Sequence, residues 1–328
     1  MLLLCIFDTL NEILEKIFPF SGKYIIIYIG VICHKYDRMV EKTMRKNTKR
    51  ILASLTAAAA LSSVCCAPFA NIGINMPISP IEAQAAETKT SGDYQYTLET
   101  LGAVITNYTG SAAKLTIPAK LDGYTVCGIG KGAFENNKTL TSVTLHSGIL
   151  TVGSHAFYNC SALTSVSFNE GLTTIGEYAF TKTALAEAAL PSTLETAENA
   201  FNASNITKVT FADGAERVPS RTFQNCEKLA AVVLPDTVSK IGNDAFYNCS
   251  SLAEFTFHEG ITFIGDYAFT KTALTEVTLP STLETAENAF NTTNITKVTF
   301  ADGAERVPSR TFQNCEKLTA VVLPDTVS

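Results

Sequence analysis

The chain has 328 residues, a formal net charge of −6, no Trp and a mean hydropathy of +0.16. Charge is concentrated downstream: residues 87–328 carry 16 Lys and Arg against 25 Asp and Glu, a net of −9. Such a surface repels phosphate backbones and anionic headgroups, which argues against nucleic acid and membrane surfaces as partners.

Residues 1–43 contain two apolar runs, MLLLCIF and YIIIYIGVIC, each shorter than the roughly 20 residues that a bilayer span needs. They are read as an upstream extension ahead of a true start at Met44 or Met39, the alternative being an additional membrane anchor. Residues 44–86 have the three parts of a secretory signal. Arg45, Lys46, Lys49 and Arg50 form a basic start, Ile51–Ala67 an apolar stretch, and Ala83-Gln84-Ala85 a small-residue cleavage site, with a second option after Ala70. Cys65 and Cys66 invite lipidation, but Val64 and Cys65 stand where a lipobox has Gly, Ala or Ser. The expectation is export, to the medium or the cell surface, by a bacterial route.

Residues 87–126 alternate apolar and polar positions in Tyr94-x-Tyr96-x-Leu98 and continue through Ala103-Val104-Ile105 and Leu115-Thr116-Ile117. The alternation predicts strands that cap whatever follows.

Residues 127–328 are a repeat array. A ladder of Phe134, Phe157, Phe180, Phe201, Phe223, Phe246, Phe269, Phe290 and Phe312 runs at spacings of 21–23 residues. Each unit opens with three apolar positions, as in Leu163-x-x-Val166-x-Phe168 or Leu274-x-x-Val277-x-Leu279, the L-x-x-L-x-L pattern of a leucine-rich repeat. Side chains alternate faces along a strand, so the second and third apolar residues enter the core together. Stacked units then form one parallel sheet with strands about 4.8 Å apart. The predicted fold is a leucine-rich-repeat solenoid, mostly β, with a parallel sheet on its concave face. Short extended pieces and single helical or 3₁₀ turns return along the convex face. A longer period overlies the short one: residues 214–239 recur at 303–328 with one change, Ala230 to Thr319. The array stops at Ser328 where the next unit would begin, so it is expected to be C-terminally incomplete, with further repeats or a further domain beyond.

The units LTSVSFNEGLTTIGEYAF, LAAVVLPDTVSKIGNDAFYNC and LTEVTLPSTLETAENAF resemble the BspA-like, or treponemal-type, leucine-rich repeats. The resemblance covers about residues 91–328 and includes the lead-in SGDYQYTLETLGAVITNYTG. It implies a secreted or surface-attached protein, often an adhesin.

The concave columns that point away from the core provide the candidate binding residues. They are Thr144, Ser167, Glu187, Lys208, Thr210, Thr256, Glu276, Thr278, Lys297 and Thr299. Such a face is either a broad, shallow ligand surface or a sheet surface chosen for solubility. Glu187 beside Lys208, and Glu276 beside Lys297, are expected to form cross-strand ion pairs worth tenths of a kcal/mol. Cys160, Cys226, Cys249 and Cys315 each follow a ladder Phe by three residues, at a position that elsewhere holds Asn, Ser or Thr. That points to buried thiols hydrogen-bonded to a turn, with a Cys226–Cys249 disulfide as the alternative. No CxxC pair suggests a metal, and no G-x-S-x-G, H-E-x-x-H or P-loop suggests catalysis. The expectation is therefore a monomeric, non-enzymatic, cofactor-free binding protein for an extracellular protein or glycan. The alternative is the non-catalytic repeat arm of a secreted enzyme or multi-enzyme assembly.

Overall fold

The structure, a computed structural model, describes residues 87–327. The upstream extension and the secretory signal fall outside them, as does Ser328. Among the described residues every regular element is a strand.

One end is closed by an antiparallel meander of Lys89–Ser91, Tyr94–Glu99 and Gly102–Tyr108. Gly102–Tyr108 then pairs in parallel with Tyr124–Ile129, which continues into Thr151–Val152 and Thr174–Ile175. Tyr96, only 1% exposed, donates its hydroxyl to Asp122 at 2.9 Å. Tyr108 lays its ring against Phe134, with centroids 5.3 Å apart. The meander thus covers the first ring of the ladder and removes an open edge.

Beyond it the units meet their neighbours along two strand ladders, neither of them continuous. The longer strands pair in parallel as three separate sets rather than the single sheet expected. The sets are Lys114–Thr116 with Ser142–Thr144 and Ser165–Ser167; Glu187–Leu190 with Lys208–Phe211 and Ala231–Val233; and Glu276–Leu279 with Lys297–Phe300 and Ala320–Val322. A second ladder of two-residue strands, Arg217–Val218, Lys240–Ile241 and Phe263–Ile264, runs along the side, with single bridges at Thr196 and Thr285.

The ladder phenylalanines form the spine. From Phe134 to Phe312 neighbouring rings lie 4.9–5.7 Å apart with interplanar angles of 8–26°. Around them the apolar columns of both ladders are almost fully buried. A single unit cannot cover its own apolar face, so the solenoid is held by nearest-neighbour contacts.

The return side consists of tight turns with a strict backbone rule. The residue two before each ladder Phe has positive φ, from Gly132 through His155, Tyr178, Arg221 and Tyr267 to Arg310, and so does the residue two after it, from Asn136 through Lys182 and Thr292 to Asn314. N–H groups alternate in role. Tyr158 and Cys160 close i→i+3 turns onto His155 and Phe157, while His155, Phe157 and Asn159 reach carbonyls of the next unit. Left-handed residues at this spacing stop any helical run, so single turns form in its place.

Candidate functional site

The register places nine of the ten outward residues where the alternation puts them. Thr144 lies beside Ser167, Glu187 beside Lys208, Thr210 beside Ala189, Glu276 beside Lys297 and Thr278 beside Thr299. Thr256 is also exposed but belongs to no strand. Thr210 and Thr299 are half-buried and the other eight are exposed. They form a strand face rich in hydroxyls, opposite the core.

The two expected ion pairs differ. Lys297 Nζ lies 3.9 Å from Glu276 Oε2, whereas among the described residues Glu187 and Lys208 make no such contact. Both pairs are solvent-exposed, and holding two long side chains together there gains little.

What the outward columns do not reveal are two breaks in the face: Ser165–Ser167 does not pair with Glu187–Leu190, and residues 253–257 pair with neither neighbour. The core column beneath it reads Val143, Val166, Ala188, Val209, Val232, Phe255, Val277 and Val298. The next core column alternates Leu and Phe, with Phe168, Phe211, Phe257 and Phe300 each paired to a valine except Phe257. Only the unit at 252–257 must place two phenylalanines, and their centroids are 4.6 Å apart. Phe257 is buried against Phe269 and Phe290, while Phe255 stays half-buried beside Phe246 and Phe269. Excess ring volume in a filled core displaces backbone. Here residues 253–257 form no strand and pair with neither neighbour.

A cavity of about 720 Å³ opens at this break. Its walls come from Ala253–Phe257 and Thr275–Thr278, with Lys297 and Thr299 on the far side. Five of the ten candidate residues line it: Thr256, Glu276, Thr278, Lys297 and Thr299. Thr144, Ser167, Glu187, Lys208 and Thr210 lie on earlier units of the face and are not brought to it. Glu254, in the same outward column as Glu187 and Glu276, also lines it, together with Phe255 and Val277 of the core column. The signal for the floor was volume: Phe255 is the one aromatic residue in a column of Val and Ala.

The thiols sit where the repeat position predicts. Cys160 Sγ donates to Phe134 O at 2.9 Å, Cys226 Sγ to Phe201 O at 3.0 Å, Cys249 Sγ to Phe223 O at 3.2 Å and Cys315 Sγ to Phe290 O at 3.1 Å. Thr183 and Thr272 occupy the same position and donate within their own turns to Phe180 O and Phe269 O, both at 2.8 Å. Burial pushes the Cys160 and Cys226 thiols up to about 11, and that of Cys249 well above its ordinary value. Protonated, inward-facing thiols of this kind are packing groups rather than nucleophiles. All five cysteines among the described residues are free. Also among the described residues, no group of three or more His, Cys, Asp and Glu is placed to hold a metal.

A parallel β-solenoid with two strand ladders, a stacked phenylalanine spine and a hydroxyl-rich strand face is a leucine-rich-repeat protein. The chain belongs to the BspA-type family: the description "BspA type Leucine rich repeat region" matches residues 99–230 and 216–328, in six copies. Solved structures with the same repeat include a leucine-rich cell surface protein from Faecalibacterium prausnitzii A2-165, 19% identical, with 73% of this chain and 95% of that chain covered at a TM-score of 0.38. A leucine-rich repeat protein from Bacteroides ovatus ATCC 8483 is 22% identical over 73% of this chain and 77% of that one, with a TM-score of 0.47. A leucine-rich repeat protein of T. pallidum is 22% identical over 73% and 84%, with a TM-score of 0.29. No curated protein matches the sequence at a significant level.

Proposed function

We propose that this chain is an exported ligand-binding protein, secreted or displayed at a bacterial surface, whose strand face docks an extracellular protein or glycan. The observation that carries this reading is the cavity at residues 253–278. It joins five outward side chains of the repeat to an aromatic floor, on a face whose other outward residues mix the hydroxyls of Thr144, Ser167 and Thr210 with Glu187, Lys208 and Val233. Concave sites with an apolar floor and a few polar groups are where ligands bind. The signal-like residues 44–86 and family membership support an extracellular setting, and one protein that shares the repeat is described as a cell surface protein.

The test has two stages. The full chain, expressed in a bacterial host, is expected in the medium or accessible to protease on intact cells. Purified from there, it is then offered to immobilised extracellular matrix proteins and polysaccharides. Micromolar or tighter binding that is lost on Thr278→Arg, a substitution that fills the cavity mouth, supports the reading. Retention in the cytoplasm, or binding indifferent to that substitution, removes it.

A further inference from the structure

Resting on the strand face as the binding surface, we propose that the cavity at the interrupted unit takes an arginine side chain from a basic segment of a protein partner. Three features converge on that chemistry.

The first is unpaired main chain. Where three strands run together the central one, such as Lys208–Phe211, shares its N–H and C=O groups with both neighbours, and an end strand such as Ser165–Ser167 shares them with one. Among the described residues, those of Ala253–Phe257 have no hydrogen-bond partner on either side. Backbone polar groups seek partners, and here they stand at an open cavity wall with nothing but solvent or a ligand to meet them. The carbonyls in particular call for a ligand rich in donors.

The second is the floor. Phe255 is half-buried, and Val277 beside it is only 4% exposed. This apolar base suits the aliphatic stem of a long side chain, and an aromatic ring also attracts a cation above its face.

The third is charge. Glu254 and Glu276 both line the cavity, against one cation, Lys297. Lys297 lies 3.9 Å from Glu276, and among the described residues Glu254 has no ion pair. The surrounding residues 87–328 carry a net charge of −9, a field that draws cationic partners and repels sulfated, phosphorylated or sialylated ones. A neutral sugar offers hydroxyl donors to the Glu254 carboxylate but no charge to balance it.

Arginine meets the open carbonyls, the apolar floor and the carboxylates at once, and leaves the unpaired N–H groups to solvent. Its guanidinium is planar, offers five N–H donors in a fixed fork, binds carboxylate bidentately and stacks on aromatic rings. Lysine offers a compact point charge and no fork. The remaining cavity volume leaves room for neighbouring residues of the docking segment.

Binding of a fluorescent octapeptide with two central arginines tests this on the full chain, by anisotropy at physiological salt. The same peptide carrying lysines, and one carrying the neutral isostere citrulline, are run beside it. The arginine peptide is expected to bind about tenfold more tightly than the lysine peptide, with the citrulline peptide weakest. Glu254→Gln and Phe255→Val are each expected to weaken the arginine peptide by about tenfold. The second of these leaves net charge untouched. Glu305→Gln, a charge removed elsewhere on the surface, is expected to change binding less than twofold, since an exposed distant charge is screened. Circular dichroism verifies that no variant loses strand content, Phe255→Val being expected to gain some at residues 254–256.

Equal binding of arginine and lysine peptides, or equal loss from Glu254→Gln and Glu305→Gln, would reduce the effect to bulk charge and overturn the proposal. Were a neutral oligosaccharide to bind and be lost on Phe255→Val while the arginine peptide was not, the cavity would be a glycan site instead. If Phe255→Val weakens capture of matrix proteins but the arginine peptide never binds, the strand-face reading stands and the arginine assignment falls. If Phe255→Val leaves both unchanged, both fall.

Discussion

The units beginning at Leu163 and Leu252 stand 89 residues apart and share Leu, Phe, Glu and Gly at equivalent places, LTSVSFNEG against LAEFTFHEG, yet they do different things. In the first, Ser165–Ser167 forms a strand paired with Ser142–Thr144. In the second the equivalent residues are unpaired and a cavity opens beside them. Both units bury their leading Leu completely and both feed a ladder Phe into the same stack. The difference lies in one core position, Val166 against Phe255. A solenoid is a chain of nearest-neighbour contacts, so a local excess of volume stays local. The array tolerates a defect in one unit, and a cavity opens there on a face whose strand pairing also stops between Ser165–Ser167 and Glu187–Leu190.

The largest expected effect lies in the phenylalanine spine. Phe180 and Phe269 are equivalent and fully buried, but Phe269 also meets both Phe255 and Phe257 edge-on. Replacing either by Ala is expected to cost about 3–5 kcal/mol. Phe269→Ala should sit at the upper end, read as the shift in urea midpoint. Equal losses would mean that Phe255 contributes little packing. A more direct exchange swaps the core residues. Val166→Phe is expected to cost about 1–3 kcal/mol through overpacking and to abolish amide-exchange protection at Ser165–Ser167. Phe255→Val should create such protection at residues 254–256. Failure of both would show that the break is set by something other than ring volume.

A smaller effect concerns the turns. Thr292, with φ 54°, and its equivalent Ala203, with φ 51°, occupy left-handed positions where several other units have Asn. Thr292→Asn is expected to stabilise by about 1 kcal/mol, more than Ala203→Asn, because a β-branched side chain is least at ease there. Thermal melts of the two variants decide the order.

The smallest expected effect is pH-dependent. His146 accepts the Gly148 N–H on Nδ1 at 3.0 Å, and burial holds its pKa below the ordinary value. The fold therefore favours neutral imidazole. Stability is fully present above the unfolded pKa of about 6.5 and falls as pH drops from there towards the lowered folded value. His146→Asn should flatten the midpoint over that window, and a slope equal to that of the parent would refute the assignment.

Much of this protein was legible because a repeat is its own alignment. Nine copies of the Phe position fixed the period, and the three apolar positions before each fixed the strand, its register and its outward columns. The thiol position could be read as a turn-bonding group because Thr183 and Thr272 share it. The interruption of the sheet was not legible in the pattern of apolar and polar residues, since Phe255 obeys that pattern. Nor were the left-handed columns, which accept Tyr178, Lys182 and Arg221 as readily as Asn. Neighbouring units impose that backbone by hydrogen bonds, whatever the side chain.

Periodicity alone therefore determined the solenoid, because alternation and spacing specify which side chains must be buried together. Tertiary packing decided where the strand face is continuous, which carboxylate finds a lysine and where main chain is left unpaired. Those outcomes depend on volumes and distances summed across neighbouring units, and no single unit contains them.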